Sequence, residues 1–206
     1  MNKEKYFGVI NQLSDKELVK HLYLTQAFLL LLSILLSTIV FPFNWSLFQF
    51  DFQQFLIGIA AGLMVVFIDI IWMKVLPEKY HDDGGLNHRV FASRNPFHIA
   101  IIAATVAFSE ELLFRGIIQT EFGLLISSVV FALIHYRYLF NWFLFANIIL
   151  LSLLIGYIFQ LTNNLWVTIM MHFLIDFLLG IIIRYKWFGY KVNRDNHSLS
   201  SPVKNE

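Results

Sequence analysis

Residues 97–118 read FHIAIIAATVAFSEELLFRGII, and this stretch decides the fold. As a helix rising 1.5 Å per residue it is about 33 Å long, enough to cross a hydrocarbon core of about 30 Å. Its apolar run is broken by Glu110, Glu111 and Arg115. A charged side chain at the centre of a bilayer costs about 2.5–3.5 kcal/mol, so three of them in one span require neighbouring helices that close a polar interior around them. The stretch therefore reads as one wall of a site inside a membrane bundle.

The rest of the chain supplies the bundle. Of 206 residues, 58% are hydrophobic and only 14% charged, with 22 Phe; a water-soluble domain carries about 25% charged residues, so the solvent implied is lipid. Further apolar stretches lie at 24–41, 55–73, 122–140, 142–161 and 165–183. All are read as helices, because unpaired backbone is not tolerated in lipid and no barrel-type alternation is present. The expected class is all-α, a polytopic membrane protein of about six transmembrane helices. Residues 1–23 are an N-terminal segment, 24–96 two accessory spans and a loop, 97–183 the core, and 184–206 a polar tail. The loop carries the turn signal Asp82-Asp83-Gly84-Gly85. Gly58 and Gly62 form a small-residue face that lets a neighbouring helix approach closely.

Basic residues orient the spans. Lys3, Lys5, Lys16 and Lys20 precede the first, Lys74, Lys79, Arg89 and Arg94 separate the second and third, Arg137 ends the fourth, and Arg184, Lys186, Lys191, Arg194 and Lys204 follow the sixth. The connections 42–54, 119–121 and 162–164 contain none. By the positive-inside rule both termini are expected in the cytoplasm. A net charge of +1 provides no field for nucleic acid, and the absence of cysteine removes thiolate chemistry and disulfides.

The remaining intramembrane polar residues are His135 in FALIH, residues 131–135, and His172 and Asp176 in HFLID, residues 172–176. Glu111 and Arg115 are four apart, as are His172 and Asp176, so each pair shares a helix face. Glu110 is turned by about 100° from Glu111 and points to another neighbour. Such a set suits hydrolysis, with a carboxylate that takes and returns a proton and imidazoles that orient water, hold an oxyanion or bind a metal. Helix-tying polar contacts and a proton-coupled carrier use the same residue types. Counted from the cytoplasmic ends of their spans, Glu110 lies about 20 Å deep and His135 about 8 Å. Convergence then requires span three to start early, tilt or break, or span four to continue past Phe140.

Three ordered motifs, Glu110-Glu111-x-x-x-Arg115, Phe131-x-x-x-His135 and His172-x-x-x-Asp176, together with the filler GYIFQLTNNLWVTIMMH at 156–172, resemble the CPBP family of intramembrane proteases. That family includes the type II CAAX prenyl endopeptidases and the bacterial Abi, or bacteriocin self-immunity, proteins. The resemblance implies an endopeptidase in a bacterial cytoplasmic membrane that acts on a membrane-associated protein or peptide. A non-catalytic immunity protein is its alternative. It further implies that Glu110 and His135 activate water, that His172 and Asp176 hold the oxyanion, that Glu111 and Arg115 support the site, and that Phe131 and Phe114 bind substrate. Family members with prenylated substrates have Asn where this chain has Asp176, and an ionised Asp cannot donate to an oxyanion. The family is described both as metalloproteases and as metal-independent glutamate proteases. The metal-free mechanism is favoured here, and Zn²⁺ held by Glu110, His135 and His172 is the alternative.

Overall fold

Ser14 opens the first long helix: its hydroxyl accepts from the Glu17 N–H at 3.3 Å while the Glu17 carboxylate accepts from the Ser14 N–H at 2.7 Å, a reciprocal cap. In the computed structural model, which describes residues 3–80 and 83–187, this helix runs from Asp15, not residue 24. The elements are α1 Lys3–Gln12, α2 Asp15–Ile39, α3 Phe52–Val75, α4 Leu86–Phe91, α5 Pro96–Leu113, α6 Thr120–Ile134, α7 Trp142–Thr162 and α8 Leu165–Tyr185. Most of the polar tail expected at 184–206, and Asp82 of the turn signal, lie outside the described residues. The segment between α3 and α5 is a structured connector rather than a plain loop, because it contains α4, whose Arg89 donates to Ile10 O and Leu13 O and pairs with Asp15 at 2.8 Å.

Among the described residues, five helical runs are long and apolar enough to cross a membrane: Asp15–Ile39, Phe52–Val75, Pro96–Ile134, Trp142–Thr162 and Leu165–Tyr185. The protein is an all-α, membrane-spanning helical bundle. Its outer faces carry exposed Phe28, Leu31, Phe67, Leu125 and Leu161, the surface that suits a bilayer.

The run Pro96–Ile134 holds 39 residues and would measure about 58 Å if straight. It is not straight. The Ser127 hydroxyl donates to the Phe114 carbonyl at 2.8 Å, and the Phe114 and Phe131 rings meet with centroids 5.0 Å apart. The chain doubles back at Gly123, whose φ of 83° and ψ of 171° are open only to glycine. No heavy atom lies within 4 Å of the Cβ an alanine would add there, so the demand on this residue is backbone conformation, not space. The reversal falls just beyond the 119–121 connection expected, because Thr120 donates to Arg115 O at 3.0 Å and Gln119 to Gly156 O at 2.7 Å, which keep the π-helical turn Phe114–Gln119 continuous with α6.

The fourth expected span also ends early. α6 stops at Ile134, and residues 136–140 form a 3₁₀ turn, so 122–140 is not one helix. The His135 ring Nδ1 meets Phe131 O at 2.7 Å, which satisfies a last-turn carbonyl from the side chain while His135 itself leaves helical geometry at ψ 45°.

α8 lies at the centre, packed on α3, α5 and α7. α3 runs alongside it in the same direction. A Cβ on Gly58 would strike Val167 O, and one on Gly62 would stand 3.0 Å from Met171 O, so both glycines set the closeness of this pair. Ala61, Val66, Ile155, Val167, Met171 and Ile175 fill the space between these helices.

Candidate active site

The hairpin resolves the unequal depths. Measured from its apex at Gly123, Glu110 is 13 residues before the turn and His135 is 12 after it, so the two arms carry them to the same level. Span four does not lengthen past Phe140 to achieve this; its helix shortens.

Four elements meet there. α5 delivers Ser109, Glu110 and Glu111; the end of α6 delivers His135; α8 delivers His172 and Asp176; and α2 delivers Gln26. Glu110 Oε2 lies 4.0 Å from His135 Nε2 and 4.0 Å from His172 Nε2. These separations exceed a direct hydrogen bond and suit groups that act on one small molecule between them. His172 Nε2 is 3.6 Å from Asp176 Oδ2. The Asp176 and His135 side chains remain 30% and 20% exposed, against 7% for Glu110, so the cluster opens along that edge.

Behind it is a fixed support. Glu111 and Arg115 are fully buried, with Arg115 Nε 3.3 Å from Glu111 Oε2. The other Glu111 oxygen, Oε1, meets His172 Nδ1 at 2.9 Å. The guanidinium is held further by Nη2 donating to Ser152 O and Oγ at 3.1 and 3.2 Å and by the Phe131 face at 4.8 Å. One carboxylate thereby fixes both the arginine and the orientation of the His172 ring, which leaves Nε2 facing Glu110. A π turn at Phe114–Gln119, of the kind that recurs at functional sites, carries Arg115.

Phe114 and Phe131, expected to bind substrate, are each 1% exposed and pack with Leu29 and Leu113. They form the floor beneath Arg115 and His135 and present no open surface.

Two residues escaped the sequence reading. Gln26 is 5% exposed; its Nε2 donates to Glu110 Oε1 at 3.2 Å and its Oε1 accepts from the Ser109 hydroxyl at 2.5 Å. The signal was present, since an amide among leucines in 24–41 is costly in lipid, but it carries no charge and stood in a span read as accessory.

Zinc is the alternative that the donors themselves can answer. Both ring Nδ1 atoms are engaged, by Phe131 O and Glu111 Oε1, as in imidazoles that ligate through Nε2. Among the described residues, however, no group of three or more His, Asp and Glu side chains is placed to hold a metal ion.

Two adjacent buried glutamates turned toward His135 and His172 form a buried His/Glu cluster of the kind that glutamate/histidine hydrolysis uses. A family model described as type II CAAX prenyl endopeptidase Rce1-like matches residues 92–178, which hold every one of the three motifs. The chain is also similar to the uncharacterized protein YpbD of Bacillus subtilis (strain 168), with 39% identity over 140 residues, or 68% of this chain and 72% of that protein. This chain belongs to the Rce1-like CAAX protease family. No solved structure matches it.

Proposed function

We propose that the protein is an intramembrane endopeptidase that hydrolyses a peptide bond in a membrane-associated, CAAX-type protein or peptide. The observation that carries this is the convergence of Glu110 Oε2 with two imidazole Nε2 atoms at 4.0 Å each. His135 donates its Nδ1–H to Phe131 O, so its Nε2 is a bare acceptor that orients a water toward the scissile carbonyl. Glu110 takes a proton from that water as the oxygen attacks. The carbonyl oxygen gains the negative charge, and His172, when it carries both protons, donates from Nε2 to it. Asp176, 3.6 Å from that nitrogen, supports the imidazolium rather than donating itself. Glu110 then gives its proton to the leaving amine as the C–N bond breaks.

The doubled run counts as two passes, so the chain makes six crossings. Both termini lie in the cytoplasm, as the basic residues in the connections argue, and the bilayer is the bacterial cytoplasmic membrane. The site opens toward the same end, where His135 stacks on Tyr138 and Arg137 bonds Asn87 of α4 at 3.1 Å. The domain division proposed is a core at 97–183 with α2 and α3 beside it; Gln26 ties the first of these to the chemistry.

The test compares purified parent and Glu110→Gln on a quenched fluorogenic farnesylated peptide ending in a CAAX sequence, alongside mass spectrometry of membrane peptides from cells carrying each. A discrete product that requires Glu110 and survives chelator supports the reading. Undiminished cleavage by the variant overturns the role of Glu110. Absence of any Glu110-dependent product, with bacteriocin protection retained by the variant, replaces peptidase with immunity scaffold, and Glu110-dependent proton flux in liposomes replaces it with carrier.

A further inference from the structure

The two oxygens of Glu110 do different things. Oε2 faces the histidines, while Oε1 faces away from them, toward α2, and receives the Gln26 amide N–H at 3.2 Å. In this arrangement the amide oxygen accepts from the Ser109 hydroxyl at 2.5 Å, a hydroxyl that also reaches Thr105 O at 2.7 Å, and the NH₂ end faces Glu110. Ser109 sits one residue before Glu110 on α5 and is fully buried, and Gln26 is 5% exposed, so water does not compete for either bond. Gln26 also lies outside the family match at 92–178.

We propose that Gln26 is a positioning residue that selects which oxygen of Glu110 carries the transferable proton. This rests on the peptidase reading. With an N–H donor seated on Oε1, a proton there would meet a donor head-on, whereas the bond persists unchanged when the proton is on Oε2 and Oε1 is the carbonyl oxygen. The proton taken from water therefore stays on the face turned to the scissile bond. It is returned from the same atom to the leaving nitrogen, with no rotation of the carboxyl group between the two steps. The same bond fixes the carboxylate plane, so Oε2 keeps equal distances to the two rings.

The experiment uses full-length protein in detergent and the fluorogenic farnesylated peptide. Gln26→Met keeps length and apolar volume but removes the donor; it lowers kcat at least tenfold, leaves KM within twofold and leaves the melting temperature near that of the parent. Ser109→Ala frees the amide orientation and lowers kcat by a smaller factor, and the double variant is no slower than Gln26→Met, because both act through one bond. An infrared measurement reads that bond without substrate. The carboxylic C=O band at acid pH that disappears in Glu110→Gln moves to higher wavenumber in Gln26→Met. If Glu110→Gln is inactive yet Gln26→Met keeps kcat within twofold, or the band does not move, the positioning role is wrong. If Gln26→Met fails to fold, Ser109→Ala decides: an unchanged kcat overturns the proposal. If the parent cleaves nothing, the peptidase reading fails and this role fails with it, whatever the band does.

Discussion

Arg115 offers the sharpest test of how the site is held. Replacing it with Met keeps the stem and removes a guanidinium that is fully buried, 3.3 Å from Glu111 Oε2, bonded twice to Ser152 and stacked on Phe131. Glu111, also fully buried, then keeps the His172 ring and the Thr168 hydroxyl as neutral or weaker partners in place of the guanidinium. Removing one member of a buried pair costs about 3–5 kcal/mol, since the other charge is left uncompensated. For a chain of this size each kcal/mol moves the melting temperature by about 2–4 °C, so Arg115→Met should melt roughly 6–20 °C below the parent. Glu111→Gln alone strands the arginine and falls in the same range. The double variant has no stranded charge, and the amide oxygen introduced by Glu111→Gln still accepts from the His172 ring, so it should recover about 1–3 kcal/mol relative to the sum of the single losses. Thermal unfolding of all four proteins in one detergent measures this. Additive losses in the double variant would refute the claim that the two residues stabilise the bundle through each other. Full stability of both single variants with loss of cleavage would move the pair from support to direct contact with the substrate.

Gly123→Ala should lose about 1–3 kcal/mol from backbone strain alone, because φ is 83° and nothing obstructs the new Cβ; a melting shift near zero would show that the hairpin apex can turn without glycine. Gly58→Ala should cost about 1–3 kcal/mol by driving α3 from Val167 of α8, whereas Gly8→Ala, with open space around it, should not destabilise the fold, a contrast the same assay reads directly.

The spans and pairings were legible where a helical period alone sets geometry. The spacing of Glu111 and Arg115 placed them on one face, and the 100° step between adjacent residues turned Glu110 elsewhere; the structure shows what lies there, Gln26 on one oxygen and two imidazoles beyond the other. Gly58 and Gly62 marked the close approach of a partner, which is α8. What hydropathy could not show was where an apolar run stops being helical. Residues 122–140 are apolar almost throughout, yet the His135 ring caps its own helix and the backbone turns away. The reversal at Gly123 depends on one dihedral angle, and hydropathy does not record it. The helix from Asp15 begins in polar sequence, where a capping box rather than apolarity sets the boundary, and that is why Gln26 stood nearer to a helix middle than the run 24–41 suggested.

The shortness of α6 has a consequence for the lipid itself. Beyond Gly123 only residues 124–134 are helical, about 16 Å of rod where the surrounding hydrocarbon is about 30 Å thick. Leu125, Val129 and Leu133 are exposed along it, and Trp142, of the type that settles at headgroup level, is exposed just beyond the 3₁₀ turn. Such a mismatch is relieved by thinning the adjacent leaflet. A dimple at this edge would bring headgroups and water toward the level of His135.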